Sequence, residues 1–378
     1  MKKITLFTTL AILIALTINI QNANARSWRI NYLSNYNFAG SIWGDNFGGT
    51  SLNPVFNNLA NAQSSTLVQN NDTLYLEGCP TLNSFAGVAL TKPFVIIGTG
   101  YFLSLNANTS NDLLESRLNN INFNAGSSGS QIIGVSISSY QGIQVNTNNI
   151  TIKRCYIPQN AAISIALNVL DITINENFFD NTTLTTSAIV FSYQGGPGAG
   201  FVVRNNIFKR PLLVQYSTTV YGIETCNNNV FDCPPITGGP SVQMICNSFK
   251  NNIIKNAALT VNINSGTPSS KVTYNSIAAP TQLDTAVAYN NKYVNNMANL
   301  FVAATSSTDG NYRLKAASAY NYNGSDGAPR GAYGGASVTS RYALSGNAAI
   351  PVVYDITTTG IATQATGLPV TIKARTIK

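Results

Sequence analysis

Four charged residues hold matching places in this chain. Asp180, Lys209, Asp232 and Lys250 each directly follow the apolar residue that ends a short recurring phrase. If the phrases stack, the four side chains form a column of alternating sign. Its two carboxylates then lie two rungs apart, roughly 9.6 Å at the spacing of strands in a sheet. That is the edge of the ~6.5–9.5 Å separation found in inverting glycosidases. A lysine between the two works against this chemistry, because a neighbouring cation disfavours the protonated form that a general acid needs. The column reads first as an exposed ion ladder, and Asp180 and Asp232 are the candidates should the chain be catalytic. Arg154 and Glu176 share another register position on adjacent copies and read as a second surface pair, worth about 0–1 kcal/mol. Arg154, Lys209, Arg210 and Lys250 fall near one corner, where together they offer a basic row to an anionic polysaccharide.

Other chemistry is thinly represented. The chain has no histidine, which removes Ser–His and Cys–His triads and histidine-ligated metals. No metal or cofactor is expected. The five cysteines, Cys79, Cys155, Cys226, Cys233 and Cys246, leave at least one unpaired. Cys226 and Cys246 would sit about 8 Å apart if their copies stack, beyond disulfide reach. No Cys-x-x-Cys occurs.

The element that must position these residues is the repeat from Asn149 to Ile277. Its copies read ITIKRCYI, ITINENFF, FVVRNNIF, ETCNNNVF, VQMICNSF and SKVTYNSI. They end at Ile157, Phe179, Phe208, Phe231, Phe249 and Ile277, in steps of 22, 29, 23, 18 and 28. Each is apolar-x-apolar, a few polar residues, then a second alternation, which describes two short strands meeting at a corner. A period of 20 to 30 residues indicates a solenoid. Two places before each final apolar residue stand Asn177, Asn206, Asn229, Asn247 and Asn275, with Cys155 in the first copy. A repeated inward Asn makes sense as a ladder in which each amide meets the next, since a buried amide without a partner costs about 1–3 kcal/mol. AYNNKY offers a further rung at Asn291 after a short step.

These Asn-x-[Ile/Phe] corners resemble those of the secreted bacterial right-handed parallel β-helix proteins, the pectin-lyase-like superfamily. The resemblance implies an all-β right-handed parallel β-helix with an N-terminal helix/strand cap and a C-terminal β cap. It implies little about activity, because the architecture carries lyases, hydrolases, adhesins and scaffolds alike. The histidine and paired-aspartate pattern of polygalacturonases is missing, as is the acidic cluster of calcium-dependent pectate lyases.

The rest of the chain fits this frame. Lys2 and Lys3, an apolar run and Ala23-Asn24-Ala25 read as a signal peptide over 1–25, whose removal lowers the net charge from +8 to +6. Residues 26–337 read as the β-helix with its N-terminal cap. Trp28, Trp43, Tyr32, Tyr36, Phe38 and Phe47 close its open end or, alternatively, form a platform for sugar rings. A short helix starts at Pro54 with Asn53 as cap. Residues 338–378 read as a C-terminal β cap or small module, with strands at Ile350–Asp355 and Val370–Ala374. Scattered basic residues exclude a nucleic-acid groove, and no mature segment is apolar for long enough to span a bilayer. The resulting expectation is a secreted or cell-surface monomer that contacts extracellular polysaccharide without cleaving it. The alternative is a polysaccharide lyase or glycoside hydrolase.

Overall fold

The computed structural model describes residues 25–34, 49–81, 85–106, 110, 112–181, 187–191, 200–216, 219–220, 222–263, 269–302, 308–317, 323–358 and 368–376. Residues 1–24 of the leader read at the start of the sequence, together with Tyr36, Phe38, Trp43 and Phe47, lie outside them.

The described chain is all-β with few helical turns, and its strands stack in parallel. An eight-stranded sheet runs from Ser27–Ile30 to Thr225–Asn227, a nine-stranded sheet from Arg117–Leu118 to Lys292–Tyr293, and a five-stranded sheet from Val88–Leu90 to Ile189–Phe191. Within each, neighbouring strands come from successive circuits of the chain, which makes the architecture solenoid-like. Register follows the alternation in the sequence. Ile152 lies beside Ile132 and Ile174, Ile174 beside Val203, and Val203 beside Cys226. In the second sheet Ile157, Phe179, Phe208 and Phe231 form one inward column, with ring centroids of Phe179 and Phe208 4.7 Å apart and of Phe208 and Phe231 5.2 Å apart. All are buried in one continuous core.

The corner between the first and second sheets is where sequence and geometry meet most closely. One residue per circuit there is left-handed: Arg154, Glu176, Asn205, Asn228, Asn251, Tyr274 and Asn290, with φ between 54 and 58°. Asparagine tolerates this conformation better than most side chains. The next residue is Cys155 in the first of these circuits and the buried ladder Asn in the other six. Nδ2 of Asn177 donates to Oδ1 of Asn206 at 3.1 Å, and Asn206 to Asn229 at 3.0 Å. The ladder then runs to Asn252, Asn275 and Asn291. Each Oδ1 also accepts the backbone N–H of the preceding rung, and each amide sends its other N–H to a carbonyl of the rung before.

Asn247 is not a rung. It is exposed and donates to Glu224 Oε2 at 2.6 Å. Its strand, Val242–Cys246, pairs with Leu212–Leu213 and Val261–Ile263 in a separate small sheet. The phrase Asn251-Asn252-Ile253-Ile254 supplies the rung instead, and it replaces the uneven steps of 18 and 28 by two steps of 23 residues.

The ends differ from expectation in detail. Trp28 is buried, edge-on to Phe56, with Nε1 donating to Asp72 Oδ2 at 2.7 Å. The helix spans Leu59–Ser64 and its cap is Asn58, whose side chain accepts from Asn61 N; Pro54 and Asn53 precede it. Strands Pro351–Thr358 and Val370–Thr376 form an antiparallel hairpin. That hairpin faces Tyr75 and Ile97 of the first coils across a groove.

A second apolar layer lies outside the nine-stranded sheet. Phe178, Ile207, Val230 and Ile253 point outward, yet they are buried beneath Met297, Leu300, Phe301, Tyr312, Ala332 and Tyr342. The described residues between 294 and 347 thus return along the stack as a strap. Arg330 holds it to the carbonyls of Asn275 and Asn290, Asn205 to the carbonyls of Ala332 and Gly334, and Tyr101 N–H to the carbonyl of Ser345.

Candidate functional site

The charged column exists with one change of membership. The residues following Phe179, Phe208, Phe231 and Ile254 are Asp180, Lys209, Asp232 and Lys255, because Asn252 and not Asn247 sets the fourth rung. Lys209 Nζ meets Asp180 Oδ1 at 2.8 Å, and Lys255 Nζ meets Asp232 Oδ2 at 2.6 Å. A tyrosine serves each carboxylate as well. Tyr156 OH donates to Asp180 Oδ2 at 2.9 Å, and Tyr312 OH to Asp232 Oδ2 at 2.7 Å. Burial, reinforced by the aspartate beside each, pushes both phenols well above the usual tyrosine range. They remain proton donors. Lys255 also lies over the rings of Tyr312 and Phe301, at 5.2 and 5.8 Å from their centroids.

The other basic residues proposed from the sequence form no row. Arg154 is buried, with Nε 2.5 Å from Glu176 Oε2 and one terminal nitrogen donating to the carbonyl of Asn347 at 2.7 Å. Glu176 is fully buried and also meets Lys153 Nζ at 3.0 Å, so this is an interior pair and not a surface one. Arg210 is buried too, and it donates to the carbonyls of Pro158, Ala161 and Ser187. Lys250 belongs to the strand Phe249–Lys250, outside the column. A polymer passing outside the coil cannot reach Arg154 or Arg210.

A groove of about 570 Å³ opens beside the first half of the column. It takes in Asp180 but not Asp232. Phe102, Glu115, Arg117, Ser136, Ser138, Tyr156, Gln159 and Asn160 complete most of its wall. Phe102 has a left-handed backbone, φ 53°, which is uncommon for a bulky residue. Its N–H donates to Glu115 Oε1 at 2.8 Å, and its ring stands edge-on to Tyr156 with centroids 5.1 Å apart. Glu115 Oε2 accepts from Ser136 Oγ at 3.1 Å and lies 3.5 Å from Arg117 Nε. The wall therefore carries an aromatic pair, two carboxylates, one guanidinium, two hydroxyls and two carboxamides. That mixture suits a ligand with apolar faces and many hydroxyl groups.

Sequence reasoning found Asp180 and Lys209 but missed Phe102, Glu115, Arg117, Tyr156 and Lys255. Tyr156 did leave a signal: it occupies the outward place held by Phe178, Ile207 and Val230 in later copies, but carries a hydroxyl. Glu115 and Arg117 precede the first recognisable copy and left none.

No family model, curated protein or solved structure matches this chain. Among the described residues, no three His, Cys, Asp or Glu side chains converge as a metal site requires, and no helix is long and apolar enough to cross a membrane.

Proposed function

We propose that this chain is an exported right-handed parallel β-helix protein of the pectin-lyase-like kind. Its lateral groove contacts an extracellular polysaccharide without cleaving it. The observation that carries this reading is the Phe102–Tyr156 ring pair set among Glu115, Asp180, Arg117, Gln159 and Asn160 in one open groove. Apolar ring faces beside convergent hydrogen-bonding groups are what a sugar presents and what it needs in return. Two carboxylates against one guanidinium favour a neutral glycan over the acidic polymer expected from the sequence. Lysine-rich opening residues followed by an apolar run, and a charge-poor composition, support export.

A lyase or hydrolase is the second reading, favoured by Glu115 and Asp180 sharing the groove. Against it, Lys209 and Tyr156 each donate to an oxygen of Asp180, so a sugar would have to share or displace these donors to reach the carboxylate. Affinity electrophoresis through neutral glucans, xylans and mannans, beside polygalacturonate, tests both readings. Retardation by a neutral polymer, lost in Tyr156→Ala, is expected. Retardation by polygalacturonate alone, or by none, sinks the binding reading. New reducing or unsaturated ends, abolished by Asp180→Asn, would establish the enzyme.

A further inference from the structure

One column of the eight-stranded sheet carries reactive groups that the sugar groove does not use. Lys153, Asn175 and Arg204 are register partners, each the last residue of its strand, on three adjacent strands. Neighbouring strands lie about 4.8 Å apart, so each side chain stands within reach of the next. Glu176 follows at the corner and is fully buried. Its Oε1 lies 3.0 Å from Lys153 Nζ and accepts from Asn175 Nδ2 at 3.5 Å, while Arg154 holds Oε2. One carboxylate oxygen thus bridges an amine and a carboxamide, whose nitrogens are within about 6.5 Å of each other.

The carboxamide is poised in a second way. Asn175 is 3% exposed and its Oδ1 accepts from no donor; on the next rung Arg204 Nε, also buried, donates to no acceptor. Buried polar atoms without partners are uncommon, and here an orphan acceptor and an orphan donor belong to neighbours in one column. A rotation of either side chain would pair them. The column therefore holds a nucleophile, an electrophile, a proton carrier and a donor for an oxyanion, which are the parts of an acyl transfer. Burial excludes the water that would otherwise compete for the carboxamide.

We propose that Lys153 and Asn175 join in an isopeptide bond that staples two adjacent coils. Lys153 gives a proton to Glu176 and attacks Asn175 Cγ, and the oxygen, now negative, takes the N–H of Arg204. The Nζ–Cγ bond forms and the Cγ–Nδ2 bond breaks. Two protons in all pass from Nζ through Glu176 to Nδ2, which leaves as ammonium beside the partly exposed lysine stem. Glu176 ends as it began, and no oxidant or added reagent is consumed. Fixing both reactants on adjacent rungs supplies the proximity the step needs. The ion pair of Lys153 with Glu176 is the arrangement before the bond closes. Closure prevents these two coils from parting when the stack frays.

Mass spectrometry of the full chain tests this. The folded protein should be lighter by one ammonia, and trypsin, which does not cut at an acylated lysine, should release 118–154 joined to 155–204. Lys153→Arg keeps a cation beside Glu176 and Asn175→Ala removes only the carboxamide, so both should fold, as circular dichroism would show, and keep their full mass. Glu176→Gln should keep its full mass too. In pulse-labelled chains Arg204→Gln should lose ammonia more slowly than the parent; equal rates would remove the arginine from the reaction. A parent of full mass with the two peptides separate overturns the proposal. So does an ammonia loss that persists in Lys153→Arg, which would place ring closure at another asparagine, or deamidation of Asn175 in place of linkage.

Discussion

Arg154 and Glu176 occupy equivalent left-handed corners on adjacent coils and meet inside the protein, Nε to Oε2 at 2.5 Å, with side chains 2 and 0% exposed. The strap closes over them through the carbonyl of Asn347.

Without Arg154 the buried Glu176 keeps only the partly exposed Lys153 as a cationic partner, and breaking a buried pair from one side typically costs about 3–5 kcal/mol. Arg154→Met should therefore lower the denaturant midpoint sharply. Arg154→Met combined with Glu176→Gln should recover most of the loss, because the buried carboxylate is then gone and Lys153, the charge left over, still reaches solvent. A double variant as unstable as the single one would mean that the arginine matters for its bond to the strap and not for the ion pair.

The ladder makes a prediction that separates two registers. Asn229→Ala removes the acceptor of both Asn206 N and Asn206 Nδ2, and the donor to the carbonyl of Val203. At roughly 1–3 kcal/mol for each buried group left unsatisfied, a loss of several kcal/mol is expected, and Asn252→Ala should match it. Asn247→Ala should cost no more than about 0.5 kcal/mol, as for other exposed sites. Urea unfolding of the three variants checks this, and a costly Asn247→Ala would restore the register read from the sequence.

Alkali should unfold the protein early. Burial raises the phenols of Tyr101, Tyr312, Tyr333 and Tyr342 well above their usual value, and the thiols of Cys155 and Cys233 to about 12. These groups hold their protons more tightly when folded than when unfolded. Their contribution is complete below the unfolded values, near 9 for thiols and 10 for phenols, and is lost as pH rises toward the folded ones. Melting temperature should be flat below about pH 8.5 and fall above it. Tyrosinate absorbance from these residues should appear together with unfolding. Titration of all tyrosines near pH 10 in a still-folded protein would contradict the burial of the strap.

The fold was legible because its determinants are local and repeated. Alternating Ile and Val, and Asn two places before Ile or Phe, recur often enough to reveal the stack. The register slipped at Asn247 because VQMICNSF imitates the phrase while its strand serves another sheet, and only pairing across 23 residues tells it from Asn252. The site was less legible. Phe102 and Glu115 reach the groove through a backbone bond that no spacing announces. The strap was invisible for the same reason, since its contacts, such as Tyr101 with Tyr342, join residues 241 apart. Outward Ile207, Val230 and Ile253 looked like part of an ordinary alternation, though their hydrophobicity was the trace of a covering layer.

The strap changes how such a molecule must fold. A bare stack of coils is quasi-one-dimensional: each repeat feels only its neighbours, and ends can fray while the middle persists. Here Arg330 grips the coils of Asn275 and Asn290, while Asn347 and Ser345 grip those of Arg154 and Tyr101. Early coils are thereby wired to late ones through contacts of very high sequence separation, which slows folding. A chain emerging from its N-terminus keeps Phe178, Ile207, Val230 and Ile253 bare until the covering residues from Met297 to Tyr342 arrive. That interval is the period of greatest exposure to aggregation. Once the strap is laid down, the array loses its modular freedom, and it should come apart as one cooperative unit and not coil by coil.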